Sequence, residues 1–241
     1  MWEYGQYCPI ARATEILADR WTLLIVRELL DGVHQFNELD RSLPGVSRML
    51  LVERLRRLEA TGVIVRRLHP GRRVEYQLTR AGHDLQRIID VLGSWGARWA
   101  FGDPRPSELD PILLLWWMRR HVHRDRLPQE RVVVEFDFRG GHSGTYWLVF
   151  NRSDISLCLQ HPKFEVDVRV HADIAVLYRV WLGRDKFAEA LARRQIRLAG
   201  PPELVRAFPR WFAWSPMLNT VRSVAVSTVQ APKKLVVRSR L

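Results

Sequence analysis

Ser47, Arg48, Met49, Val52 and Arg56 lie beside three leucines, Leu51, Leu55 and Leu58, spaced four and three residues apart. Leucines at that period form the buried stripe of a helix, which leaves Arg48, Met49, Val52 and Arg56 on its outward face and Ser47 at its start. The side chains suit a polyanion. A guanidinium can give paired hydrogen bonds to guanine or a single bond to a phosphate, and Met49 and Val52 can touch a thymine methyl. A serine at a helix start, with free backbone N–H groups beside it, suits a phosphate. A second basic set, Arg66, Arg67, His69, Arg72 and Arg73, surrounds the turn residues His69-Pro70-Gly71. A basic hairpin tip can enter a minor groove or lie along phosphates. Either set alone is equally a solvated charged surface. Together, a helix presented by a tight turn and a basic hairpin behind it point to double-stranded DNA.

The elements that must carry these residues can be read from the same chain. Proline at the first turn opens a helix over about 9–18, and Ile25 and Leu29 mark a second over 21–30 that Asp31-Gly32 stops. Phe36, Leu39 and Leu43 mark a third helix over 36–43, Leu43-Pro44-Gly45 makes the turn, and Ser47 caps the fourth over 48–61. Strands at 63–68 and 73–78 form the hairpin, and a long fifth helix runs over 79–99. Four helices, a hairpin and a helix are the order of a winged helix-turn-helix with flanking helices. Asp103-Pro104-Arg105-Pro106 reads as a stiff linker, so the expected division is a DNA-binding domain over 1–103, a second domain over 108–214 and a basic tail over 215–241.

Composition bounds the rest. The 241 residues carry a net charge of +12, and 47% are hydrophobic, enough for packed cores. Residues 48–80 hold nine arginines against three acids, a net of +6, while 1–47 come to −3. Residues 104–241 come to +10, so charge alone does not locate a DNA site. The two cysteines, Cys8 and Cys158, cannot build a disulfide framework, which fits a reducing compartment. Neither a signal peptide nor an apolar run long enough for a membrane span is visible, and the expected location is the cytoplasm.

A family resemblance covers about residues 5–100. Cys8-Pro9, Asp19-Arg20-Trp21-Thr22-Leu23-Leu24-Ile25, Arg27-Glu28-Leu29, Phe36-Asn37-Glu38-Leu39, Leu43-Pro44-Gly45-Val46-Ser47, Arg54-Leu55, Leu58-Glu59, Glu75-Tyr76-Gln77-Leu78-Thr79 and Trp95-Gly96 resemble the HxlR-type winged-helix regulators. The resemblance implies a homodimer on a palindromic operator, with the outer helices in the dimer seam. Val52 stands where that family commonly has Ser or Thr. In some relatives the cysteine matching Cys8 senses electrophiles or oxidants. A thiol at a helix N-terminus has its thiolate favoured by the helix dipole, so Cys8 is a candidate redox sensor; the other reading is a buried structural thiol.

Beyond the linker the sequence implies an α+β domain with a largely antiparallel sheet covered by helices. A helix over 108–124 precedes strands at 131–138, 146–150, 155–160 and 164–171; helices at 173–182 and 186–194, a strand at 196–198 and a helix at 201–212 follow. This order resembles the sterol-carrier-protein-like fold. Proteins of that fold often hold an apolar ligand, and Trp116, Trp117, Phe136, Phe138, Tyr146, Leu148 and Phe150 could line such a cavity or simply fill a core. No catalytic motif, metal-ligand spacing or cofactor loop stands out, so no enzyme, cofactor or metal is expected. The leading reading is a dimeric DNA-binding regulator, with a small apolar effector as a further partner. The alternative is a hydrophobic-ligand-binding protein whose winged helix serves mainly dimerisation.

Overall fold

The computed structural model describes residues 3–69, 71, 73–140 and 143–227. By internal packing the chain divides into two units, 1–92 and 93–241.

The first unit contains α1 (Pro9–Leu17), α2 (Thr22–Leu30), α3 (Phe36–Ser42), α4 (Arg48–Ala60), the hairpin strands β1 (Ile64–His69) and β2 (Arg73–Leu78), α5 (Arg80–Asp84) and the start of α6 (Gln86–Trp99). Its core joins Ile25, Val26 and Leu29 of α2, Leu39 of α3, Leu51, Leu55 and Leu58 of α4, and Val63 and Ile64 where the hairpin begins. Leucines at helical spacing on α4 thus bury one stripe and leave the rest of the helix outward. In the α3–α4 turn Gly45 has φ +91, the left-handed region that favours glycine, and its α-carbon faces the Trp21 ring.

The helix expected over 79–99 is two helices, with Leu85 between them. Thr79 caps α5 by accepting from Gly82 N–H at 3.2 Å, and its hydroxyl donates to Gly62 O at 2.7 Å. Leu85 N–H then bonds Gly82 O, three residues back rather than four, which tightens the turn and re-aims α6. Gly82 packs where a Cβ would stand 2.3 Å from Val63 O, so this corner sits directly on the hairpin.

The second unit has α7 (Pro111–Arg120), β3 (Val132–Arg139), β4 (Gly144–Phe150), β5 (Ile155–Cys158), β6 (Val168–Asp173), α8 (Ile174–Trp181), α9 (Phe187–Ala192), β7 (Ile196–Ala199), α10 (Pro202–Ala207) and α11 (Leu218–Ser227). The sheet order is β5-β4-β3-β6-β7. Three of its pairings are antiparallel, but β3 and β6 pair in parallel at the centre. The sheet is therefore mixed, largely antiparallel as the strand pattern implied but with one parallel pairing that the pattern did not report. Parallel neighbours need a crossover, and residues 159–167 supply it. That connection uses the first half of the strand expected at 164–171: Lys163 has φ 62, and Asp167 leads into β6 by donating its N–H to Val133 O at 3.0 Å while its carboxylate accepts from Val133 N–H at 2.7 Å. The helix expected over 201–212 stops at Ala207 and gives way to a 3₁₀ turn over Phe208–Arg210, where Pro209 has no N–H to donate. Val134, Phe136, Phe138, Leu148 and Phe150 face α7 and α8 across one core. The segment from 215, read as a tail, contains α11, and 228–241 lie outside the described residues.

Candidate nucleic-acid interface

Ser47 begins α4 with extended backbone, and its hydroxyl accepts from Leu50 N–H at 3.2 Å. Such a cap contributes about 1 kcal/mol and fixes where the helix starts. Leu51, Leu55 and Leu58 are buried, whereas Met49 is 83% exposed. Arg56 is exposed and Val52 half-buried on the same outward side. Arg48 also reaches solvent, but it is not the free guanidinium that its position suggested. It donates to Asp40 at 2.8 Å and to Asn37 at 3.2 Å, and stacks over the Phe36 ring at 4.8 Å. α3 therefore holds Arg48 in one orientation at the start of α4.

The flank of α4 is pinned as well. Arg54 donates to Arg20 O at 3.2 Å and pairs with Glu53 at 2.6 Å. Arg57 pairs with Asp19 and donates to Glu15 O. Glu15, at the end of α1, accepts from Tyr4 N–H at 2.8 Å and from Arg12 at 3.2 Å. The Tyr4 hydrogen bond, with Arg12 beside it, holds the Glu15 carboxyl below its usual range. These bonds tie the outward-facing helix to α1 and to the corner before α2.

The hairpin is anchored to the same body. Tyr76 N–H donates to His34 O at 2.8 Å, and Gln35 bridges to Glu75. The connection between α2 and α3 thus acts as a third strand beside β2. Within the hairpin Arg66 stands opposite Tyr76, and Arg67 opposite Glu75. Arg66, Arg67 and Arg73 are exposed. Arg72 and the His69 side chain, also expected at the tip, lie outside the described residues. The structure brings part of each set together: a cleft of about 240 Å³ is lined by Val52, Arg56 and Glu59 of α4 and by Arg66 and Tyr76 of the hairpin, whereas Ser47, Arg48, Met49, Arg67 and Arg73 do not line it.

Sequence reading missed Glu59, Tyr76, Asp40 and Asn37. Glu59 follows Arg56 by three residues, so helical spacing could have found it. Tyr76 lies in the strand expected at 73–78 and in a stretch that carries the family resemblance, and neither signal places it in a cleft. Nothing local marks Asp40 and Asn37 as partners of Arg48.

Cys8 occupies the N-cap position of α1 and is partly exposed. Of the aromatic set in the second unit, Phe136, Phe138, Leu148 and Phe150 are buried in one core, against which Trp117 and Tyr146 pack. Rings meet there directly: Phe136 and Phe138 lie 6.0 Å apart, Phe138 and Tyr146 6.1 Å, and Phe150 and Trp211 5.5 Å. Trp116 packs apart from them, under the Arg119 guanidinium at 4.0 Å. Neighbours on a helix face different sides, so Trp116 and Trp117 do not share one lining. Among the described residues no helix is long and apolar enough to cross a membrane.

Residues 16–103 match the HxlR-like helix-turn-helix family. An uncharacterized HTH-type transcriptional regulator of Synechocystis, sll1512, is 37% identical over 99 residues, 40% of this chain and 73% of the relative. The uncharacterized HTH-type transcriptional regulator YvaP of Bacillus subtilis is 39% identical over 109 residues, 44% of this chain and 97% of the relative. The reduced form of the transcriptional regulator YodB from B. subtilis shares 32% identity, covering 39% of this chain and 96% of that one, with a TM-score of 0.36.

Proposed function

Because this chain belongs, through its first hundred residues, to the HxlR-like helix-turn-helix family, we propose that it is a cytoplasmic transcriptional regulator that binds double-stranded operator DNA as a homodimer. α4 enters the major groove, with Ser47, Arg48, Met49, Val52 and Arg56 toward bases and phosphates, and the hairpin is the wing, through Arg66, Arg67, His69, Arg72 and Arg73. The observation that carries this reading is the convergence of Val52 and Arg56, on the outward face of α4, with the hairpin's Arg66 on one cleft. The dimer is supported by α6, which exposes Ile88, Val91, Leu92 and Trp95 at helical spacing. An apolar stripe of that kind on an otherwise polar helix marks a protein contact. Recovery of bound fragments from genomic DNA, followed by footprinting, tests the reading. A two-fold-symmetric protected site is expected. No recovered DNA and no protection would favour the reading in which the winged helix serves mainly dimerisation.

The second unit is read as a sterol-carrier-protein-like domain whose apolar ligand tunes DNA affinity. Its element order supports the fold: four strands, two helices, a strand and a helix after α7. One buried group supports a ligand. The Trp211 ring is fully buried beside Phe150 and Phe208, yet its indole N–H has no acceptor among the described residues. A buried donor without an acceptor is costly, and an apolar molecule carrying one oxygen acceptor would satisfy it. To regulate, that molecule must favour one DNA-binding arrangement over another. Titration with oleate should change tryptophan fluorescence and the operator Kd together. Fluorescence and Kd that both stay constant would leave the unit as a partner module. Cys8 is retained as a candidate redox sensor, read by operator release on exposure to an electrophilic quinone.

A further inference from the structure

The cleft between α4 and the hairpin has a composition that bears on a single ligand group. Val52, Arg56 and Glu59 follow one another at four- and three-residue spacing, so they form one stripe along α4. Arg66 and Tyr76 are direct cross-strand partners and form the opposite wall. Arg56, Arg66 and Glu59 make no ion pair among the described residues. This contrasts with Arg48, Arg54 and Arg57 on the same helix, each of which is held by a carboxylate. Two guanidinium groups on facing walls without counter-ions repel each other unless something negative lies between them. One carboxylate in the lining leaves a net charge of +1, which suits one oxyanion and discourages a second.

We infer that this cleft is a seat for one oxyanion, a backbone phosphate of the bound duplex, gripped jointly by Arg56 and Arg66 with the Tyr76 hydroxyl as a further donor, and that Glu59 weakens the grip by like-charge repulsion. The inference rests on the DNA-binding reading and adds that two residues from separate elements share one phosphate. A guanidinium binds phosphate through paired N–H groups, and two of them on opposite walls fix its position as well as its charge. Val52 supplies the apolar side, against which the adjoining sugar can pack. The seat would set how far α4 enters the groove relative to the hairpin, because both elements would be fastened to the same phosphate.

The test uses the full chain and a duplex selected by the wild type from a random-sequence library. The salt dependence of Kd is measured for wild type, Arg56→Ala, Arg66→Ala, the double variant and Glu59→Gln, with circular dichroism as the check on folding. A protein that loses one phosphate contact loses about 0.9 from the slope of log K against log salt. If the two arginines share a phosphate, each single variant loses up to about 0.9 and the double variant loses no more than that in total. Glu59→Gln should bind several-fold tighter on all sequences alike. A double variant that loses about 1.8 overturns the shared seat, since it would show two separate phosphates. So would unchanged slopes, or a Glu59→Gln variant that binds as the wild type does. Inorganic phosphate, exchanged for chloride at constant ionic strength, distinguishes the source of the oxyanion. If the seat takes a backbone phosphate, free phosphate should weaken duplex binding more than chloride does, and Arg66→Ala should remove that excess. Phosphate binding that is lost in Arg66→Ala yet leaves the duplex Kd unchanged would overturn the backbone assignment in favour of a free anion. A wild type that selects no duplex overturns the DNA-binding reading itself, an outcome distinct from any of these.

Discussion

Arg48 and Asp40 meet at 2.8 Å, joining the last turn of α3 to the first residue of α4. Asn37 and the Phe36 ring hold the same guanidinium from two further directions. Arg48 is therefore oriented before any DNA arrives. Exposed ion pairs of this kind contribute only about 0–1 kcal/mol to stability, so Asp40→Asn should fold normally. It should bind random duplexes more tightly, because a carboxylate near the phosphates is gone, and should discriminate less at one operator position, because Arg48 is loose. Arg48→Ala should cost about 1–3 kcal/mol on the best site if Arg48 reads a base. Fluorescence anisotropy across single-base-pair operator variants measures both effects. An Asp40→Asn profile identical to wild type would remove the tether from recognition.

Arg67 and Arg73 are exposed on the hairpin and line no part of the cleft. Loss of either should lower affinity equally on all sequences and reduce the salt slope by about 0.9, the signature of a single phosphate contact. A change in base preference instead would mean that the hairpin reads sequence.

Val91 is 69% exposed in the middle of the apolar stripe of α6. If that stripe is the seam of a homodimer, Val91→Glu should shift the protein toward monomer in sedimentation at micromolar concentration and weaken operator binding. Paired recognition helices then lose their joint grip on half-sites about 34 Å apart. A wild type that sediments as a monomer while protecting a single half-site would remove the dimer.

Gly82→Ala should destabilise the first unit by roughly 1–3 kcal/mol, the cost typical of overpacking. The new methyl would meet Val63 O at 2.3 Å, a backbone atom that cannot yield without moving the start of the hairpin, and the Leu78 side chain at 2.8 Å. Urea denaturation measures the loss. An unchanged midpoint would show that the α5 corner moves freely.

Glu15 carries the acid dependence of the α1 end. Its carboxyl is held below the usual value of 4.5, mainly by the Tyr4 N–H and then by Arg12. A group whose folded pKa is depressed favours the folded state above its unfolded pKa, and loses that contribution as the pH falls through the folded value. Thermal melts should therefore drop from about pH 4.5 downward in the wild type, and less steeply in Glu15→Gln. Parallel curves for the two proteins would assign the acid loss to other carboxylates.

The sequence by itself determined the parts whose signals are local. Leu51, Leu55 and Leu58 report one helix face, Ser47 its start, and the turn at His69-Pro70-Gly71 a hairpin, because backbone period and capping depend on residues within one or two turns. The outward position of Met49 and Arg56 followed from the same period. Tertiary structure decided which of these residues act together. Asp40 and Arg48 are eight residues apart and Arg56 and Arg66 ten, and neither spacing specifies an ion pair across a turn or a cleft shared by a helix and a hairpin. Such contacts depend on the angle at which elements pack, set here by the Tyr76–His34 bond and by the close seat of Gly82. The parallel pairing of β3 with β6 was hidden for a similar reason: alternation reports which face a residue takes, but not the direction of the neighbouring strand. The separation of Trp116 from Trp117 was already implied by the helix expected at 108–124, because adjacent helix residues face different sides; that Trp117 rather than Trp116 meets the main core was decided by packing, which composition does not carry.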